Sequence, residues 1–542
     1  MVAGRASRSE RAQDQESKRP EDQEKVREGE PKVFHPCRTT GRREIGGRGM
    51  EVSMSSHGKA RKLGWMLFVL GLLTAIAVED GDLSSIDSAR RLQVTHALWT
   101  SEPPVREGDY PDFGVVGRDG AIHAWYGIGQ SLVMLPADIA SSLIVAETTP
   151  ESTGLKGRIK QAFIVYATFP MLTAGCLVLG YALLLQLGLG FQASVMGTMG
   201  MLFGTTLLQW TQVNQENSLT LFCFLGTLYA CLRWLATGRI GYVVVAGCTA
   251  GFALLTRLPT VFETAAAGLV VLAFLFLPRV GEGAVVARAR SAWLAAGTIF
   301  VAVFAIFLAW ERFYHVLRFE SVSGTYIGIH KTQNPAFYVG GDWWRGMWTL
   351  LFSPQDSVLW MDPGILLLAL MLILFWRMTS MGIKALTLCL FMLLLVLVAF
   401  YAPYPWPGGA SGWGSRYTTT PSIVLGLLGF GLLANFWRES CTGFKAVGMA
   451  IVTYALVAQI GSLLYWSNLE QLQWAAWGTG TFLVGQRWLN TFALLGGTFG
   501  ESRLMVPALS ERIMRLNFMP FHVRAELDGP VGAAALALWL LL

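Results

Sequence analysis

Apolar runs alternate with short polar or basic connectors along most of the chain. The first extends from about Gly64 to Val78, behind Lys59, Arg61 and Lys62. Others follow at about 161–186, 191–209, 218–236, 241–257, 260–277, 292–310, 363–376, 385–401, 418–437 and 446–466. Many are near the roughly 17 to 25 residues that a helix needs to cross a bilayer. The connectors orient them. Arg233 and Arg239, then Arg279, Arg288 and Arg290, then Arg377 and Lys384, then Arg438 and Lys445 mark the cytoplasmic side, because basic residues accumulate there. Residues 79–125, with nine acids against four arginines, then lie outside.

One apolar stretch, Gly127 to Ala146, breaks this alternation. If it crossed, three spans would separate the cytoplasmic loop it creates from the basic connector at 233–239. An odd number of crossings cannot join two loops on one side. Laid at the outer interface, the stretch lets every later loop agree with its charge. Pro136 and Asp138 within it also argue against a plain spanning helix. The cost is that Lys156, Arg158 and Lys160 then lie outside. The prediction is an all-α polytopic membrane protein with about 11–12 transmembrane helices. A seven-helix module at 61–310 carries an outer loop at 79–160. An outer loop at 311–347 and four further spans within 348–466 follow. The aromatic-rich segment 467–542 is placed outside, and its apolar tail is too short to count as a crossing.

Composition agrees: 53% of the 542 residues are hydrophobic and 14% charged, with mean hydropathy +0.45, where soluble domains are about a quarter charged. The net charge of +6 resides largely in a basic tail and short loops, so nucleic acid is not the expected partner. Residues 1–60 carry many charges of both signs and almost no large apolar side chains. They are expected to be disordered, with translation starting at Met50 or Met54. The seven cysteines show no Cys-x-x-Cys spacing and read as small core hydrophobes.

Polar residues that stand out in such a chain converge on one side. Asp80 and Asp82 follow the first span in VEDGDL; Glu216, Arg257, Arg318 and Arg416 fall near outer span ends or in outer loops. After VEDGDL, Ile86, Ala89, Leu92 (or the stem of Arg91), Val94 and Leu98 predict an amphipathic helix lying on the interface. Acids held between a span end and an interfacial helix suit a substrate with a lipid tail and a polar head.

Six stretches in order carry a resemblance. They are the acids after the first span, Gly117-Arg118-Asp119-Gly120 with Tyr126-Gly127-Ile128-Gly129-Gln130-Ser131-Leu132, Arg257-Leu258-Pro259, Arg318-Phe319-Glu320-Ser321 with Gly324 and Tyr326, Leu351-Phe352-Ser353-Pro354, and Trp413-Gly414-Ser415-Arg416-Tyr417. Over about residues 64–470 the chain resembles the GT-C glycosyltransferases, which include protein O-mannosyltransferases and aminoarabinose transferases, and is most similar to bacterial members. It departs from their pattern at Glu320, where they have Gly, and at Gln355-Asp356-Ser357, where a Gly-Lys-Gly turn is usual. The second departure removes a phosphate-binding cation and leaves the donor's identity open.

The resemblance implies inverting transfer of a sugar from a polyprenyl-phosphate donor to an acceptor on the outer face of the plasma (inner) membrane. The attacking hydroxyl needs a general base, Asp80 or Asp82, the family spacing fitting neither uniquely. The leaving lipid phosphate needs fixed cations: Arg257, Arg318 and Arg416, with Arg118 behind them. Glu216 positions the acceptor or orders an arginine. Tyr126, Gln130, Tyr326 and Trp413 complete the expected substrate-binding set, although the aromatics also fit an interfacial belt. No metal site is indicated, since His96, His123, His315 and His330 are dispersed, and a divalent ion is left open. GLGFQA at 188–193 mimics a dinucleotide fingerprint but lies in a turn between apolar runs. Alternative readings are a secondary transporter, disfavoured by the lack of an evident internal repeat, and a lipid-linked glycan flippase. Sugar, acceptor and lipid length are not specified.

Overall fold

The computed structural model describes residues 54–542 apart from 84, 107, 109–113, 118, 146–154, 277–289, 320, 323–340, 405–411, 467, 479, 500–514, 527–528 and 542. Most of the expected disordered tail therefore lies outside the described residues. The chain is a nearly all-α polytopic membrane protein. Among the described residues, six helices are long and apolar enough to cross a bilayer: Gly58–Val78, Lys156–Gln186, Glu216–Thr237, Ser291–Phe319, Met381–Tyr401 and Thr442–Leu464. They belong to α1 (Met54–Val78), α4 (Leu155–Gln186), α7 (Glu216–Thr237), α10 (Arg290–Phe319), α14 (Met381–Tyr401) and α16 (Thr442–Leu464).

Shorter helices complete the bundle. They are α2 (Ile86–Ala97), α3 (Gly129–Val145), α5 (Phe191–Phe203), α6 (Leu207–Val213), α8 (Gly241–Thr256), α9 (Thr260–Phe276), α11 (Trp343–Phe352), α12 (Val358–Met361), α13 (Gly364–Phe375) and α15 (Thr419–Asn435). Four more follow: α17 (Leu469–Trp477), α18 (Leu483–Leu495), α19 (Met519–Glu526) and α20 (Pro530–Leu540). One antiparallel ribbon, β1 (Gly114–Val116) with β2 (Ile122–Ala124), pairs Val115 with His123.

Each apolar run of the sequence becomes helix, with two boundary corrections. The run 191–209 is broken between α5 and α6, where the Thr206 amide and hydroxyl turn to the Asp362 carboxylate at 2.7 and 3.1 Å. Helix α10 continues through Phe319, so 311–319 are helical and not loop; Phe313 and Leu317 keep an apolar face turned outward. Only 6% of its apolar window is buried, as expected of a helix facing lipid on most sides.

The core centres on α15, whose residues from Thr419 to Leu433 are all buried. It fits against α5 because α5 is rich in glycine. A Cβ on Gly200 would lie 2.2 Å from the Phe430 ring, and one on Gly197 2.9 Å from the Gly431 Cα. Small residues permit such backbone approach between membrane helices, where packing rather than hydrophobicity drives association.

The predicted interfacial helix is present as α2, but its faces differ from the expectation. Ile86 and Leu98 are exposed, whereas Ser88, Arg91, Gln93, Thr95 and His96 are buried with Leu92 and Val94. The buried side is polar because it meets ionic partners on other helices. His96 lies 2.8 Å from Asp138 of α3, and Lys160 of α4, fully buried, lies 3.2 Å from the same carboxylate. The anomalous acid of α3 thus neutralises one of the basic residues that the charge pattern could not accommodate.

Candidate functional site

The end of α1 leads into Glu79, Asp80, Gly81 and Asp82. Gly81 takes φ +76°, a conformation that side chains with a Cβ resist, and the turn lets the Asp82 amide donate to Asp80 Oδ1 at 3.0 Å. Glu79 is wholly buried and accepts from Asn214 Nδ2 at 2.6 Å. Burial, then the charge of Asp80, pushes the Glu79 carboxyl well above its ordinary value. Asp80 is 5% exposed and also accepts from Asn517 Nδ2 at 3.4 Å. The C-terminal segment closes this pocket: the Met519 amide donates to the Glu79 carbonyl at 3.0 Å. Gln212 Nε2 bridges the carbonyls of Val78 at 2.8 Å and Asn517 at 2.6 Å.

Asn214 joins this pocket to a second, cationic one. It sits in the left-handed region at φ 57°, the one non-glycine residue so placed among those described, and asparagine tolerates that better than most residues. Its carbonyl accepts from Ser88 Oγ at 2.7 Å and Gln130 Nε2 at 3.0 Å. Two residues on, Glu216 opens α7, where the helix dipole favours a carboxylate. Glu216 lies 2.9 Å from Arg91 Nη1 and 3.6 Å from Arg257 Nε.

Asp87 completes the cluster, accepting from Arg416 Nη1 at 2.6 Å and from the Tyr126 hydroxyl at 2.8 Å. Burial would raise the Asp87 carboxyl, but Arg416 and Arg91, with the tyrosine hydrogen bond, outweigh it and hold the group below its ordinary value. Tyr401 and Tyr417 stack with centroids 4.0 Å apart. Both Arg257 and Arg416 lie 5.1 Å over the Tyr417 ring, a cation–π placement that desolvation strengthens. Between them and Glu263 is a cleft of about 10 Å³, about the room of a single water. The Nε atoms of Arg91 and Arg416 are buried and make no hydrogen bond to any described residue. Three guanidiniums therefore converge, and two of them, Arg91 and Arg416, keep donor capacity for an anion.

The glycines of YGIGQS have a packing reason. Cβ atoms on Gly127 and Gly129 would fall within 2.4 Å of Leu255 and Thr256 atoms, so this loop rests on the end of α8 beside Arg257. Of the residues singled out from sequence, the structure brings together Tyr126, Glu216, Arg257 and Arg416, with Gln130 bracing Asn214. Arg318 turns elsewhere: its Nη1 donates to the carbonyls of Ala124 and Tyr126, both at 2.7 Å, fixing the exit of β2. Trp413 is fully buried, with the Arg487 guanidinium 5.2 Å over its ring. Arg118 and Tyr326 lie outside the described residues. Among the described residues no three His, Cys, Asp or Glu side chains are grouped to hold a metal ion.

The sequence singles out none of Arg91, Asn214, Tyr401 and Asn517 for the site, and Glu79 and Asp87 enter only among the nine acids of residues 79–125. Asp87 and Arg91 stand four apart on one face of α2, a spacing equally usual on a solvent-exposed helix face, so it did not mark them as buried.

No protein-family model matches the chain, and no curated protein sequence does. Among solved structures, the archaeal oligosaccharyltransferase AglB from Archaeoglobus fulgidus, in complex with an inhibitory peptide and a dolichol-phosphate, is similar at 12% identity and TM-score 0.39. That match covers 77% of this chain and 58% of AglB, so the chain spans under two thirds of that protein's length. ArnT from Cupriavidus metallidurans, bound to undecaprenyl phosphate, is similar at 14% identity and TM-score 0.40, over 88% of each chain.

Proposed function

We propose that this protein is a GT-C-type glycosyltransferase that moves a sugar from a polyprenyl-phosphate donor to an acceptor at the outer face of the plasma membrane. The observation that carries this reading is the joining, through Asn214, of a buried acid pair at the end of α1 to a cluster of three arginines. Base and anion sites then lie together at one end of the helices, where the head of a membrane-anchored donor would enter.

In the proposed step an acceptor hydroxyl oxygen forms a bond to the anomeric carbon as the bond from that carbon to the phosphate oxygen breaks, inverting the centre. The hydroxyl proton passes to Asp80, which the amide of Asp82 and the side chain of Asn517 hold in place through hydrogen bonds to its two oxygens. Asp82, less buried, holds the turn. The electron pair leaves with the lipid phosphate, whose added charge Arg257, Arg416 and Arg91 neutralise. Guanidinium forks match phosphate oxygens and stay charged. Glu216 holds Arg91 and Arg257 in place before the donor arrives, so little reorganisation is required during the reaction. Arg318 keeps Tyr126 at the site's edge and does not meet the phosphate.

The test is purified protein in liposomes with labelled polyprenyl-phosphate sugars and a panel of glycan, lipid and protein acceptors. Label appearing in an acceptor is the expected result. No transfer from any donor, with uptake of a free solute into the same liposomes, would replace the enzyme by the transporter.

A further inference from the structure

At the end of the bundle opposite the candidate site, a groove of about 690 Å³ opens between α1, α4, α5 and α7. Glu216 begins α7 and Arg233 lies 17 residues on, or about 25 Å along the helix axis. Apolar and aromatic side chains, among them Trp65, Phe68, Leu185 and Phe191, form its walls, and among the described residues the charged ones lining it are Arg61 and Arg233. Trp65 is 60% exposed, so the groove faces the surrounding lipid and is not sealed within protein. At its mouth the Lys59 ammonium lies 5.5 Å over the Phe191 ring.

Three polar features border this space. Tyr181 is 3% exposed, lines the groove, and its hydroxyl has no hydrogen-bond partner among the described residues. The Arg233 Nε is likewise buried and makes no hydrogen bond to any described residue, its guanidinium lying 5.6 Å over the Tyr242 ring. Helix α5 starts here with Gly190 as its N-cap and no side-chain cap, leaving first-turn amides that suit an anion. GLGFQA, which resembles a dinucleotide fingerprint in spelling only, forms this rim; Gly188 takes φ +88° to make the turn.

We propose that the groove binds one anionic diacyl phospholipid of the cytoplasmic leaflet. Its phosphate sits between Arg61, Arg233 and the start of α5, accepts from the Tyr181 hydroxyl, and its acyl chains lie along Trp65, Phe68 and Leu185. Charge complementarity selects an anionic head, and the concentration of Lys59, Arg61, Lys62, Arg233 and Arg239 at this end selects the cytoplasmic leaflet. None of the acids or arginines of the candidate site takes part, so the assignment stands or falls independently of the transferase reading.

The test is native mass spectrometry of the full chain in detergent, with phosphatidylglycerol, phosphatidylcholine, undecaprenyl phosphate or inorganic phosphate added. One phosphatidylglycerol per chain is expected to survive delipidation, retained about tenfold better than phosphatidylcholine. Arg61→Gln with Arg233→Gln is expected to abolish that preference, whereas Arg438→Gln with Lys445→Gln, at another basic connector, leaves it intact. Ala182→Trp, which fills the groove without touching a charge, is expected to lose the retained lipid, and serves if the double-arginine variant does not fold. Equal retention of both phospholipids, equal loss in the Arg438/Lys445 variant, or displacement by inorganic phosphate or undecaprenyl phosphate at equal concentration would overturn the proposal.

Discussion

Replacing Glu216 by glutamine keeps the shape of the side chain and removes one charge from the middle of the arginine cluster. At an effective dielectric of about 20, charges separated by 2.9 Å (Arg91) and 3.6 Å (Arg257) attract by about 6 and 5 kcal/mol respectively. Most of that is offset in the native protein by the desolvation of three buried ions. The offset is not recovered when one partner alone is removed, because the remaining guanidiniums stay buried. Glu216→Gln is therefore expected to destabilise by about 3–5 kcal/mol. Tryptophan fluorescence during reversible unfolding in detergent reads this directly. Adding Arg91→Met to the variant removes one of the stranded cations and is expected to recover part of the loss, a coupling of about 1–3 kcal/mol. A Glu216→Gln protein within about 0.5 kcal/mol of wild type would refute the claim that this carboxylate organises the cluster.

Three other outcomes follow from the geometry. Glu79 has its folded pKa raised above the ordinary 4.5; above pH 4.5 the native state then holds a proton the unfolded chain has lost, so its contribution to stability falls as pH rises through the folded value. Glu79→Gln removes that fall, and thermal unfolding between pH 4 and 8 is expected to show the variant gaining on wild type as pH rises; parallel curves would contradict it. Gly81→Ala forces a Cβ into φ +76° and within 2.8 Å of Met519 Cγ, an expected loss of about 1–2 kcal/mol. Met519→Ala in the same chain relieves only the steric part, and full rescue in a denaturation measurement would refute the backbone explanation. Arg487, buried against Glu470 at 2.6 Å, supports Trp413 from beneath; Arg487→Met strands the Glu470 carboxylate and is expected to cost about 3–5 kcal/mol, with an unfolding loss below 1 kcal/mol as the contrary result.

Apolar runs and basic connectors made the spans legible, because a membrane span is written as one uninterrupted apolar run whatever its neighbours. The break at Gly204–Thr206 was not legible, since it depends on Asp362, 156 residues away from Thr206 in sequence. Composition alone pointed to Glu216, Arg257 and Arg416, since a charge in an apolar setting is conspicuous. It could not find Arg91, which sits in an ordinary-looking polar helix and becomes exceptional only when buried against Glu216. Arg318 shows the reverse error, a conspicuous cation that the fold uses to hold two carbonyls. Asn517 is separated from Asp80 by 437 residues, and no local pattern records such a contact.

The central claim, that Asp80 is the base of a lipid-phosphate sugar transfer, is tested most directly by measuring donor affinity and turnover together in Asp80→Asn. With the arginine cluster intact, donor Kd is expected to stay within about threefold of wild type, while turnover falls by about 10²–10⁴. Turnover equal to wild type, with donor still bound, would show that the base lies elsewhere.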